Sequence, residues 1–192
     1  MVEFAECKNE PSGSQALAQC NETQSRLQGE AYGRQISGAN QSLRDDVNSF
    51  SAELANDTHP YALQKAFYEG MSSQSKNVHL DESRGQLDVF IDYNMNDRVR
   101  AVVGIIEQLQ GNSETTPDKA RQSALTVANS EVAGLNKEVK PHHGESAEQL
   151  QRERKNREYE REDFVRIFNG QVPGYSASLE NHKIKIKYEP NS

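Results

Sequence analysis

The sequence predicts an α+β fold, mainly helical with a small antiparallel β-sheet, and three observations carry that expectation. Apolar residues recur at spacings of three and four in several separate windows. Two other segments alternate apolar and polar residues with a period of two. Helix start and stop signals at Thr116-Pro117, at Ser146 with Gln149, and at Gly111-Asn112 fall at the ends of the helical windows. An all-α fold is the alternative if the alternating segments do not pair.

Pro11-Ser12-Gly13 reads as a turn, and after it Leu17, Cys20, Leu27 and Ala31, with Gln24 between them, follow the seam spacing of one helix face. Gly29, Gly33 and Gly38 lower helix propensity there, so an interrupted helix that leans on a neighbour is expected. Leu43, Val47, Phe50 and Leu54 mark a second helix. It should end at Asn56-Asp57-Thr58, which can itself start a third helix carrying Leu63, Ala66, Phe67 and Met71.

The period then falls to two. Leu87, Val89, Ile91 and Tyr93 alternate with Asp88, Phe90 and Asp92, and residues 77–80 with a turn at 81–85 complete a β-hairpin. A helix from Asn96 or Asp97 carries Val99, Val102, Val103, Ile106 and Leu109. The next opens at Thr116-Pro117-Asp118, shows a narrow stripe of Ala120, Ala124, Val127, Leu135 and Val139, and should halt before Pro141. Ser146 and Gln149 form a capping box at the head of a charged helix through Asp163, with Glu148–Arg152 and Glu153–Arg157 at i,i+4 spacing. No apolar residue lies between Leu150 and Tyr159, so this helix protrudes, bridges parts of the fold, or lies against a partner. The last segment, 183–188, reads as a strand at a sheet edge, its lysines discouraging unwanted pairing.

A chain of 192 residues suits a single domain over 1–192. Within it, 1–13 reads as a disulfide-tethered or flexible N-terminus and 145–163 as a charged, solvated helix. Leu, Ile, Val and Phe total 37 residues, which implies a thin core. With 29 acidic and 22 basic residues the chain is mildly acidic, and its basic residues are mixed with acidic ones, which argues against nucleic acid as a partner. No run of about 18 apolar residues is present, so no membrane insertion and a soluble chain are expected. Cys7 and Cys20 suit a short disulfide loop. That pairing implies an exported or periplasmic protein that has lost a signal peptide, because the N-terminus itself lacks signal features; two free thiols would imply the cytoplasm.

No catalytic, cofactor or metal motif emerges. Asp92, Asn94 and Asn96 match three calcium-loop positions, but Asp97 replaces the required glycine and Val103 the closing glutamate. His142 and His143 form one loop without further ligands at zinc spacing, and His59 before Pro60 reads as a turn or capping residue. Asp88 and Asp92 on one strand face would stand roughly 13 to 14 Å apart, too far for a glycosidase pair, and read as solvent-facing charge. Sequons at Asn21, Asn40 and Asn56 match chance frequency.

Surface and helices without convergent chemistry point to a noncatalytic protein-protein interaction module of inhibitor, immunity or adaptor type, with another protein as partner. Tyr159, Phe164 and Phe168 are its candidate anchors, seated either in the chain's own core or in an interface. A hydrolase or metal-dependent enzyme using Asp88, Asp92 or the His142-His143 loop is one alternative. A structural or assembly component that pairs along the Leu17 to Ala31 seam is another.

Overall fold

A computed structural model describes residues 4–38, 41–56 and 59–190. The fold is mainly helical with two small antiparallel two-stranded sheets, and the chain divides into two compact units, Met1–Tyr93 and Asn94–Ser192. The expected α+β class is therefore present. The expected single sheet is not: among the described residues each hairpin pairs only with itself.

The first unit holds helices α1 (Gln15–Gly33), α2 (Gln41–Ala55) and α3 (Pro60–Gln74), then strands β1 (Val78–Asp81) and β2 (Asp88–Ile91). Its core gathers Ile36, Leu43, Val47, Leu54, Leu63, Phe67, Met71 and Val78. The Phe67 ring lies 4.9 Å from Phe50, 5.0 Å from Tyr68 and 5.9 Å from Tyr32, between centroids. A single aromatic cluster thus supplies much of what few aliphatic residues would otherwise have to bury. Cys7, in a 3₁₀ turn (Ala5–Cys7), is bonded to Cys20 on α1 and closes a loop with a sequence separation of 13.

The α1 seam differs from the expected one. Leu17, Asn21, Ser25, Gly29 and Gly33 are buried, whereas Leu27 is 48% exposed. The buried ridge repeats every four residues and is made mostly of small side chains, which hydrophobicity does not reveal. Ser25 donates its hydroxyl to the Leu63 carbonyl at 2.8 Å, Gly29 faces Phe67 and Gly33 faces Met71. The constant offset along both helices shows that α1 and α3 run parallel. The glycines therefore permit contact of backbone on backbone instead of interrupting the helix.

Asn40 and Asp57–Thr58, which figure in the sequons and in the expected start of the third helix, lie outside the described residues. Helix α3 begins at Pro60, with His59 in the N-cap position. Asp88 is 5% exposed and chelated by Arg84 through bonds of 2.9 and 3.0 Å, so it is not the solvent-facing charge that alternation suggested. Val89 and Ile91 are half-buried while Phe90 is buried, so both faces of β2 are partly covered.

The second unit comprises α4 (Met95–Gln110), α5 (Pro117–Glu131), the short α6 (Ala133–Asn136), α7 (Ala147–Phe168) and the hairpin β3 (Tyr175–Glu180) with β4 (Lys183–Tyr188). On α4, Met95, Val99, Val102 and Ile106 are buried at helical spacing, and Gly111 caps its end. Thr116 caps α5, and the capping box of Ser146 and Gln149 is fully formed on α7. The expected single helix to Val139 instead breaks at Val132, and Lys137 is extended.

Arginines of α7 hold the end of α6 that follows the break. Arg157 donates to the carbonyls of Gly134 and Lys137 at 3.0 and 3.2 Å, and Arg161 to Leu135 at 2.7 Å, Lys137 at 3.3 Å and His182 at 3.1 Å. A helix end leaves carbonyls without intrahelical partners, and guanidinium forks satisfy them here. The charged helix thus bridges parts of its own unit along its arginine face.

Candidate functional site

The segment 175–188 folds as a hairpin because Tyr175, Ala177 and Leu179 alternate with Ser176, Ser178 and Glu180, opposite the lysine-isoleucine alternation of β4. Its two-residue turn places Asn181 and His182 at φ 52° and 66°, the left-handed pair that matches strand twist. Registry sets Tyr175 opposite Tyr188, Ala177 opposite Ile186 and Leu179 opposite Ile184 on the inner face. On the outer face Ser176 meets Lys187, Ser178 meets Lys185 and Glu180 meets Lys183. Tyr188 packs over Gly174, where a β-carbon would lie 2.5 Å from the ring, and Arg121 sits 4.0 Å above the same ring.

Three asparagines seal the hairpin's edges. The Asn129 amide donates to the Ile186 carbonyl and accepts from its N–H, both at 3.0 Å. Asn136 does the same at Ile184, at 2.9 and 2.7 Å. On the opposite edge Asn169 holds Ala177 at 3.0 and 2.7 Å. Each carboxamide presents one donor and one acceptor in the geometry of a peptide group, so helices supply what a neighbouring strand otherwise would.

Sealed edges change the meaning of the lysines. On an open edge strand, lysine blocks pairing with another chain. Here the backbone groups of Ile184, Ile186 and Ala177 are already bonded, yet Lys183, Lys185 and Lys187 are all exposed on one face. Alternate residues stand about 7 Å apart along a strand, within one Debye length, so the three cations repel one another. Lys187 binds Glu180 and holds that carboxyl below the usual range. Lys183 and Lys185 have no ion-pair partner among the described residues. The second unit carries 15 acidic and 15 basic residues, so this face is a local concentration of charge and not part of a general surplus.

The residues singled out from sequence lie elsewhere. Phe164 and Phe168 are 1% and 0% exposed, stacked with centroids 5.6 Å apart in the core of the second unit, and Tyr159 is half-buried on α7. Phe164 and Phe168 take the core seat of the two that the sequence left open. Asn21 is 2% exposed inside α1, which leaves no room for a glycan on that sequon. His142 and His143 are exposed, and the His142 backbone N–H donates to Glu145 at 3.0 Å. That bond lowers the Glu145 pKa, while a hydrogen bond shared with Glu145 raises that of Glu153 on α7. Among the described residues no three His, Cys, Asp or Glu side chains gather to hold an ion, and no helix is long and apolar enough to cross a membrane.

Reasoning from the sequence identified β4 and its lysines but missed β3 and all three sealing asparagines. Alternation in 175–179 was the available signal for the strand. Asn129 and Asn136 carry no signal of their own, because their partners lie 57 and 48 residues away. Comparison of the chain with protein-family models, with curated proteins and with solved structures finds no match.

Proposed function

We propose that the protein is a noncatalytic interaction module, of inhibitor, immunity or adaptor type, which docks an acidic surface of a partner protein on the lysine face of the β3–β4 hairpin. The observation that supports this reading is the exposed Lys183-Lys185-Lys187 row on a hairpin whose edges are already closed. A rigid scaffold holds the cations at fixed spacing, and an acidic partner relieves their mutual repulsion while gaining electrostatic steering. The Cys7–Cys20 disulfide supports an oxidising, exported setting for that encounter.

The test is parallel affinity capture from native-host extract with the wild-type chain and with a Lys183→Glu/Lys185→Glu variant, followed by reconstitution of any captured pair from purified components. A stoichiometric partner that binds the wild type, weakens with salt and is lost to the variant supports the reading. A partner held equally by both proteins would refute the lysine face as the docking surface.

A further inference from the structure

A cavity of about 240 Å³ in the first unit lies where α3 begins against the flank of α1, lined by residues of both helices. Its position follows from the parallel packing. Ser25 meets Leu63 and Gly29 meets Phe67, so the first residues of α3 stand level with Glu22, one to two turns into α1. The space beneath the α3 N-terminus is bounded on the α1 side by Ala18, Asn21 and Glu22.

Two sets of donors lie at or beside this space, which Asn21 and Ala62 line. Helix α3 starts with proline, which has no N–H, and its N-cap residue His59 makes no side-chain capping bond; among the described residues the N–H groups of Tyr61 and Ala62 have no side-chain acceptor. Those groups carry the positive end of the helix dipole and favour an anionic oxygen. Independently, Asn21 is 2% exposed and lines the cavity. Its Oδ1 accepts the Phe4 N–H at 3.4 Å, whereas its Nδ2 has no hydrogen-bond partner among the described residues. A buried amide that retains both donors at a cavity wall is a binding group awaiting an acceptor.

The half-buried Glu22 carboxylate lines the same cavity and determines the ligand class. A simple anion would meet its charge, and a simple cation would meet the helix terminus. A molecule bearing both charges satisfies both ends. We propose that the cavity binds a free α-amino acid: the carboxylate accepts from Asn21 Nδ2 and the first turn of α3, and the ammonium donates to Glu22. A small aliphatic side chain rests on Ala18, Ala62 and Leu63. The volume lies below the range of drug-sized pockets, which suits a metabolite of this size.

The experiment uses the full chain, isotope-labelled, titrated with L-valine, and separately with acetate and with methylammonium as the two halves of the ligand. Saturable amide shifts with valine, centred on residues 14–22 and 61–63, are expected, with each half binding about tenfold more weakly or worse. Glu22→Gln, a substitution at a half-buried wall that leaves the packing intact, should weaken valine about tenfold, and Asn21→Ala at least as much if it folds. Absence of saturable shifts with valine, acetate binding as tight as valine, or a Glu22→Gln protein that binds valine unchanged would each overturn the proposal.

Discussion

At the crossing of α1 and α3, a β-carbon on Gly29 would lie 1.9 Å from the carbonyl oxygen of Phe67, and one on Gly70 would lie 2.1 Å from that of Arg26. Each helix thus presents a glycine to the other's backbone, and neither carbonyl can give way without unwinding its helix. Gly29→Ala and Gly70→Ala are expected to destabilise the protein by at least about 1 to 3 kcal/mol, the usual overpacking cost. Gly104, with open space around it on α4, is the contrast, and Gly104→Ala should stabilise by roughly 0.5 to 1 kcal/mol. Urea unfolding followed by circular dichroism distinguishes the three; a Gly29→Ala protein as stable as wild type would disprove the close crossing.

The asparagine seals make a separate prediction. Asn136→Ala removes two hydrogen bonds and leaves the Ile184 N–H and carbonyl unpaired at a strand edge, a loss of about 1 to 3 kcal/mol. Combined with Asn129→Ala it should also open β4 to pairing with other chains, seen as concentration-dependent mass in light scattering. A double variant that stays monodisperse and loses no stability would show that the seals are incidental.

Glu145 and Glu153 give the second unit a local pH response. The lowered Glu145 pKa contributes stability that is present above the unfolded carboxylate value and lost as pH falls through the lowered one. The raised Glu153 pKa works in the opposite direction, its contribution being present below the unfolded value and lost as pH rises through the folded one. The clasp between the 142–145 turn and α7 should therefore be tightest at mildly acidic pH, with Glu145 ionised and Glu153 protonated. The exchange protection factor of the His142 amide should fall toward neutrality in wild type. In Glu153→Gln, which keeps a donor at all pH values, it should stay flat; the same fall in both proteins would remove the pair as its cause.

Reducing the Cys7–Cys20 bond should cost about 3 kcal/mol, the chain-entropy value for a loop near this length. The loss belongs to the first unit. Amide protection should drop across Leu17, Asn21 and Ser25 on reduction while Phe164 and Phe168 keep theirs. A uniform drop through both cores would contradict this assignment.

What the sequence by itself determined is local in origin. The stripes of α2 and α4, the caps at Thr116 and Ser146 and the stop at Gly111 are each encoded within one or two turns of chain, whereas the pairing of Cys7 with Cys20, which the sequence left open, is given by the structure. Tertiary structure decided the rest. Whether Ser25 and Gly29 face a core depends on how closely another backbone approaches, and no hydropathy pattern carries that distance. Whether Asn129 seals a strand or faces water depends on Ile186 arriving beside it, and whether α7 is solvated or bridging depends on carbonyls freed at the end of α6, 20 to 26 residues earlier. Small and polar side chains take their role from the partner brought to them, and only folding selects that partner.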